Sequence, residues 1–272
     1  MTSEPLPPAT GSVADAYPPP EIAARVCKLG LAKVNTAVPT MVALAVLAGA
    51  FISLGALFYT VTITVGNEGP TLPFGLLRLA GGITFSLGLI LVVVGGAELF
   101  TGNTLIVMAW ASGKVTTTAL LRNWLIVYLG NFAGAVGTAV LLLISKQYTF
   151  GAGSVGVAAL TIASSKVHFD FLQAIALGAL CNALVCLAVW LTFSARSTLD
   201  KIIAILFPIT AFVTAGFEHS IANMFFIPAA IFNGAPVGWG EFIFNNLIPA
   251  TLGNILGGSV LVGFLYWYVY RD

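Results

Sequence analysis

Charged residues are scarce in this sequence of 272 residues. Lys, Arg, Asp and Glu make up only 8% of the chain, whereas soluble domains carry about a quarter. Apolar residues make up 58%, and the mean hydropathy is +1.00. The chain therefore lacks the polar side chains that coat a soluble globule, and this composition excludes a soluble enzyme. A formal charge of +1 leaves no basic surface for nucleic acid.

Cysteine and histidine are also rare. Cys27, Cys181 and Cys186 have neither disulfide nor metal-ligand spacing. Two of them lie in an apolar helix, where small buried hydrophobic side chains are the natural interpretation. The sequence contains no HExxH motif and no histidine cluster. We therefore expect no metal, no cofactor and no enzymatic activity.

Three segments differ in composition. Residues 1–20 are rich in Pro, Ser and Ala and have no apolar core, so they are not a secretory signal. We expect them to form a flexible cytoplasmic segment and a candidate contact for a cytoplasmic partner. Residues 21–35 place apolar residues at helical spacing among basic ones, which predicts an amphipathic interfacial helix. Residues 36–272 predict a transmembrane channel domain.

Long apolar runs recur through that domain. Because one crossing needs about 20 residues, we predict six spans, at about 36–63, 76–112, 117–145, 168–194, 200–232 and 241–269. The second and fifth are too long for one crossing and too short for two. Each is interrupted in the middle, by GGAELFTGN (95–103) and by TAGFEHSIAN (214–223).

The basic residues predict the orientation. With both ends cytoplasmic, the outer segments hold only Arg78, Lys146 and Lys166 of the 11 Lys and Arg residues. This excess of positive charge inside favours a multi-pass inner-membrane protein with cytoplasmic termini.

The two halves of the chain share a weak repeat. In NWLIVYLGN (123–131) and NLIPATLGN (246–254), an Asn precedes a Gly-Asn pair by seven residues. An interruption comes before each stretch, and three spans per half place the halves in opposite orientations. We therefore predict inverted three-helix repeats with broken helices, the arrangement that points to a midplane binding site. Packing and interhelical hydrogen bonding alone explain Asn131 and Asn254 equally well.

Two acids and one histidine lie deep inside the apolar segments, namely Glu98, Glu218 and His219, and all three are at the interruptions. A charge at mid-helix costs roughly 2.5–3.5 kcal/mol on insertion scales, so we expect these residues to line or support a cavity. We expect both carboxylates to brace the broken ends by accepting backbone N–H groups. His219 can receive an anion or pass a proton.

The last residues of the first interruption, Thr101, Gly102 and Asn103, predict a turn before a short half-helix. Thr101 then either donates its hydroxyl to an anion at the helix N-terminus or caps that helix. His168 lies beside Lys166 at an outer span end. A solvated interface pair is the favoured interpretation there, and a basic vestibule that concentrates anions is the alternative.

Several motifs together resemble the formate/nitrite transporter family: LFTGN (99–103), NWLIVYLGN (123–131), GFEHSIANM (216–224) and NLIPATLGNILGG (246–258). KVH (166–168), LCNALVCLAVW (180–190) and the Arg-Ser-x-x-Asp-Lys loop (196–201) are similar to its formate channel branch. The similarity covers the chain from about residue 25 onward. It implies an all-α homopentamer in which each protomer is an aquaporin-like six-span bundle with its own substrate path and with broken second and fifth helices.

The resemblance also implies roles for individual residues. Thr101 and His219 would face each other across the path, with Asn182 hydrogen-bonded near the histidine, and Lys166 would lie in the outer vestibule. The constriction would be formed by Phe85, Leu89 and Phe212. A gating loop in the first break would contain Leu99, Phe100, Gly102 and Asn103.

The function expected from this resemblance is pH-dependent passage of formate and related small monovalent anions. Nitrite and hydrosulfide remain alternatives within the family. A water or neutral-solute channel is the alternative outside it, but that class expects Asn-Pro-Ala at each break. Here Ile227-Pro-Ala and Ile248-Pro-Ala lack the Asn and lie elsewhere.

Overall fold

Ten helices and one short 3-10 turn (Gln147–Thr149) make up most of the computed structural model, which describes residues 15–65 and 72–271. The helices are α1 Pro19–Val34, α2 Val38–Ile63, α3 Phe74–Gly95, α4 Phe100–Ala111, α5 Thr117–Ser145, α6 Ser154–Val167, α7 Phe171–Thr192, α8 Thr198–Ala215, α9 Ser220–Phe232 and α10 Trp239–Tyr270. Most of the segment predicted to be flexible, residues 1–14, lies outside the described residues.

Six of these helices are long and apolar enough to cross a membrane, namely α2, α3, α5, α7, α8 and α10. The shorter apolar helices α4 and α9 follow α3 and α8 after a break of four residues. The prediction of an all-α, six-span protein with interrupted second and fifth spans is therefore confirmed. The chain is a multi-pass membrane protein.

A helix is present where the sequence predicts an amphipathic one over residues 21–35. One face of α1 buries Ile22, Val26 and Cys27 against apolar residues of α4 and α7, among them Met108 and Trp190. Its polar side remains exposed. The position of α1 at the membrane surface stays a prediction.

Helix α6 was not predicted. Its 14 residues are too few for a crossing, and it begins after residues 151–153, all of which have positive φ. In chain order, α1 and α6 each precede one full span, one broken span and another full span. Lys33 near the end of α1 and Lys166 near the end of α6 therefore occupy corresponding places.

Glycines allow two pairs of helices to pack closely. Helices α2 and α5 meet at Gly49, where a Cβ atom would overlap the backbone carbonyl of Asn131. Helices α7 and α10 meet at Gly257, where a Cβ atom would overlap the carbonyl of Ala179. Small residues at such contacts let two backbones approach. The approach brings Asn131 and Asn254 beside the two breaks.

Helix α10 contains two widened stretches with π-helical bonding, Phe242–Leu247 and Leu256–Phe264. Such stretches often occur at functional sites. Asn246 lies in the first and Gly258 in the second, where a Cβ atom would overlap the hydroxyl group of Thr104. The absence of a side chain at Gly258 therefore lets α10 lie directly against α4, the half-helix that follows the first break.

Candidate functional site: two helix breaks that meet at Thr101 and His219

The first break spans residues 96–99. Gly96 ends α3 with a φ of 80°, a left-handed conformation that favours glycine. Helix α4 begins at Phe100, whose N–H donates to Oδ1 of Asn131 at 2.9 Å. The Asn131 amide donates to the carbonyl of Glu98 at 2.9 Å and to a carbonyl of α2 at 2.8 Å. A side chain of α5 thus satisfies the backbone groups that the break exposes.

The second break, residues 216–219, has the same construction. Gly216 ends α8 with a φ of 79°. Helix α9 begins at Ser220, whose N–H donates to Oδ1 of Asn254 at 2.9 Å. The Asn254 amide donates to the carbonyl of Glu218 at 2.9 Å and to a carbonyl of α7 at 2.8 Å. These bonds match those of the first break one for one, and they support the predicted inverted repeat.

The carboxylate of Glu98 has other partners than the sequence led us to expect. We predicted that it accepts backbone N–H groups, and this was wrong. It accepts from the Lys33 ammonium group at 2.7 Å and from the amide of Asn103 at 2.7 Å. Asn131 serves the exposed backbone instead. Glu98 therefore fixes the first break by tying it to α1 and to the first turn of α4.

Glu218 has matching partners in the second half, so the same correction applies. Its Oε1 accepts from the Lys166 ammonium group at 2.7 Å, and its Oε2 accepts from the amides of Asn223 at 2.7 Å and Asn246 at 2.8 Å. Glu218 is 1% exposed. A carboxylate buried to this degree needs such partners because water does not reach it. Lys166 consequently lies at the site as half of an ion pair.

The two breaks meet at Thr101 and His219, as the resemblance implied. Oγ1 of Thr101 lies 3.1 Å from Nε2 of His219, and both side chains are buried. Nδ1 of His219 accepts the backbone N–H of Ala222 at 3.0 Å, so His219 caps α9. Because Nδ1 is an acceptor here, the neutral imidazole carries its hydrogen on Nε2 and donates to Thr101. The hydroxyl hydrogen of Thr101 is then available to a third group.

The local structure around Thr101 differs from the prediction. The expected turn over residues 101–103 is wrong, because α4 is already helical from Phe100. The capping interpretation of Thr101 is also wrong, since its side chain contacts His219 and the exposed N–H at the start of α4 donates to Asn131 instead. Gly102 and Asn103 are helical as well. Of the residues expected in a gating loop, Leu99 alone lies in the break.

Asn182 of α7 holds the first turn of α4. Its amide nitrogen lies within hydrogen-bond distance of the carbonyl oxygens of Asn254 (2.6 Å) and Thr101 (3.2 Å) and of the hydroxyl of Thr104 (3.1 Å). The amide has two hydrogens, so at least one of them is shared between acceptors. Asn182 therefore orients the turn that presents Thr101 to His219.

Two cavities lie at opposite ends of α3 and α8. The first, which we call the Lys33 cavity, has a volume of about 310 Å³, and the second, the Lys166 cavity, about 180 Å³. Helix α3 runs from the Lys166 cavity at Arg78 to the Lys33 cavity at Gly96, and α8 runs from the Lys33 cavity at Lys201 to the Lys166 cavity at Gly216. The two broken spans therefore run in opposite directions between the cavities.

Apolar side chains narrow the region between the cavities. Leu89 and Leu99 line the Lys33 cavity, whereas Phe85 and Phe212 line the Lys166 cavity. The rings of Phe85 and Phe212 meet edge to face with centroids 5.6 Å apart, and Phe212 stacks on the imidazole of His219 at 5.9 Å. The three residues implied as a constriction are thus buried around the contact between the breaks.

Two basic residues in these cavities were missed as site residues. Arg78 lines the Lys166 cavity and Lys201 lines the Lys33 cavity. From the sequence, Arg78 served only to predict the orientation, and Lys201 was noted as the last residue of a family motif. The feature of the sequence that could have indicated them is a basic residue near the start of each broken span. His168, by contrast, is exposed and bonds to the carbonyl of Ser164, in keeping with the solvated interpretation.

Comparisons with known proteins agree with this geometry. The profile of a family described as formate/nitrite transporter matches residues 20–268. The formate channel FocA of Escherichia coli is 47% identical over 245 residues, which cover 84% of this chain and 85% of that protein. FocA of Haemophilus influenzae is 42% identical over 240 residues, covering 82% of this chain and 84% of that protein.

The chain belongs to the formate/nitrite transporter family. A solved structure described as a pentameric formate channel with formate bound is 45% identical to this family member. The match has a TM-score of 0.79 and covers 86% of this chain and 98% of that one. The resemblance implied by the breaks and the Gly-Asn stretches is therefore confirmed, and relatives of this chain are named as channels and transporters.

Proposed function

We propose that the chain conducts formate across a bacterial inner membrane, along a path within each protomer. The path runs from the Lys33 cavity past Thr101 and His219 to the Lys166 cavity. The names of the relatives and the formate-bound neighbour support formate as the substrate. The observation that carries the proposal is the 3.1 Å contact between Thr101 and His219, with a cavity at either end of the broken helices.

An anion on this path loses water at the apolar side chains and meets hydrogen-bond donors between them. The hydroxyl hydrogen of Thr101 is one such donor. Helix α4 begins at Phe100 and helix α9 begins at Ser220. The N-terminus of each is the positive end of its helix dipole and lies in this region. The carboxylates of Glu98 and Glu218 are neutralised by their lysines, so they do not repel the anion.

His219 acts in this arrangement first as a hydrogen-bond donor. Its Nδ1 already accepts the N–H of Ala222. A second proton can join Nδ1 only if that bond breaks, because two N–H groups cannot donate to each other. Proton transfer from His219 to formate therefore requires the ring to release the start of α9. We expect the pH dependence of passage to arise at this step.

The assembly we propose is a homopentamer with both termini in the cytoplasm. The outer helix faces carry large exposed apolar side chains, including Leu141, Ile144, Leu172 and Phe207. Such faces need lipid or a second copy of the chain to cover them. The pentameric neighbour supports the second copy, and the excess of basic residues on the side of α1 supports the orientation.

Uptake of labelled formate into proteoliposomes tests this function, with variants that separate the Thr101 hydroxyl from its shape. We expect wild-type protein and Thr101→Ser to conduct formate, because both keep the hydroxyl. Thr101→Val keeps the shape of the side chain but removes the donor. We expect its formate flux to fall about tenfold, because one hydrogen bond to a charged group is lost. Formate uptake into wild-type vesicles that is no faster than uptake into protein-free vesicles would refute the function. A Thr101→Val variant with wild-type uptake would refute the role of the hydroxyl.

A further inference from the structure

Arg78 is held beside the end of α8, at the break in the fifth span, by three bonds to uncharged groups. Its Nη2 donates to the carbonyl of Val213 at 2.8 Å, its Nε to the carbonyl of Thr214 at 3.2 Å and its Nη1 to the hydroxyl of Tyr59 at 2.9 Å. The approach depends on Gly216, where a Cβ atom would lie 2.8 Å from Nη2. The guanidinium group thereby satisfies carbonyls that the break exposes at the end of α8.

The charge of Arg78 differs in kind from that of Lys166 in the same cavity. Lys166 is paired with the Glu218 carboxylate at 2.7 Å, so that pair has no net charge. Arg78 forms no ion pair among the residues that the structure describes. The negative end of the α8 dipole offsets only about half of a unit charge. The Lys166 cavity is therefore positive because of Arg78.

The Lys33 cavity contains the same combination of charges. Lys33 is paired with Glu98 at 2.7 Å. Lys201 lines this cavity and, within residues 15–65 and 72–271, forms neither an ion pair nor a side-chain hydrogen bond. Each cavity thus combines one neutralised lysine with one uncompensated cation, and the two cations lie on α3 and α8.

We propose that Arg78 and Lys201 are the charges that collect the anion at the two ends of the path, whereas Lys33 and Lys166 hold the breaks in place. This inference rests on the proposed function. A water-filled cavity with one uncompensated positive charge raises the local concentration of small anions, and salt screens the effect. The two ion-paired lysines contribute little to this attraction, because each has a carboxylate beside it.

The size of the effect follows from Coulomb's law. A unit charge about 6 Å from the anion changes the half-saturating concentration about threefold at a water-like dielectric constant, and about tenfold at half that constant. Removing the charge should therefore raise the KM for formate by about three- to tenfold. The maximal rate should change little, because neither cation lies at the Thr101–His219 contact.

The experiment measures formate influx from both sides in vesicles of uniform orientation, at low and high salt. Arg78→Gln should raise KM from one side and remove most of its salt dependence. Arg78→Lys, which keeps the charge but loses the fork of donors, should have a KM within about twofold of wild type. Lys201→Gln should raise KM from the other side. Lys146→Gln is the control, since Lys146 is exposed and lies outside both cavities.

An unchanged KM and salt dependence in Arg78→Gln would overturn the inference, and so would an Arg78→Lys variant as impaired as Arg78→Gln. If Arg78→Gln does not assemble, the KM and salt dependence of Lys201→Gln test the inference instead, because that substitution breaks no side-chain hydrogen bond among the described residues. A wild-type protein without formate flux would instead contradict the proposed function, so the two failures are distinguishable.

Discussion

Replacing Asn254 by leucine tests whether one amide holds the second break together. The substitution keeps a similar volume but removes both the acceptor and the donors. It leaves two buried backbone groups at the break without partners, namely the N–H of Ser220 and the carbonyl of Glu218, and it removes a second bond from the helical carbonyl of Gly178. An unsatisfied buried group costs about 1–3 kcal/mol. The variant should therefore lose about 2–6 kcal/mol of stability.

Thermal unfolding in detergent, followed by tryptophan fluorescence, measures this loss, and gel filtration measures the fraction of assembled protein. We expect Asn254→Leu to lower the Tm by more than about 5 °C and to reduce the assembled fraction. Asn131→Leu should behave alike, because Asn131 makes the matching bonds at the first break. Asn35→Leu is the control, since Asn35 is exposed. A Tm of Asn254→Leu within about 2 °C of wild type would refute the bracing role.

Two further predictions concern His219 and Gly257. His219→Asn keeps an N-cap acceptor for the N–H of Ala222 but removes the ionisable ring, so formate uptake should lose the pH dependence that the wild type shows; uptake that still follows the wild-type pH profile would contradict this. His219→Phe should likewise abolish pH-dependent uptake while the assembly survives. Gly257→Ala should lower the Tm because its methyl group overlaps the carbonyl of Ala179, whereas Gly75→Ala should not, because no atom lies near that position; equal Tm values would show that α7 and α10 can separate without loss.

Much of the fold follows from local sequence. Apolar runs of span length predict the six crossings. Glu98 and Glu218 indicate the two breaks, because a charged side chain in the middle of a membrane-spanning helix costs free energy. The Gly-Asn stretches predict that α5 and α10 have corresponding roles. Family motifs predict that Thr101 and His219 meet, which spacing alone does not.

Other features depend on contacts between distant residues. The pairing of Lys166 with Glu218, and of Lys33 with Glu98, joins elements that the sequence separates by a full span. Helix α6 was missed because its apolar residues are too few for a crossing. The start of α4 at Phe100 was missed because its cap is Asn131, a residue of another helix. The sequence around the start of α4 therefore does not predict this cap.

The most direct test of the central claim compares formate flux with osmotic water permeability in the same proteoliposomes. A path between Thr101 and His219 that is narrowed by Phe85, Leu89 and Phe212 should pass a dehydrated small anion. We predict saturable, protein-dependent formate uptake, with water permeability no greater than that of protein-free vesicles. High water permeability without saturable formate uptake would contradict the account.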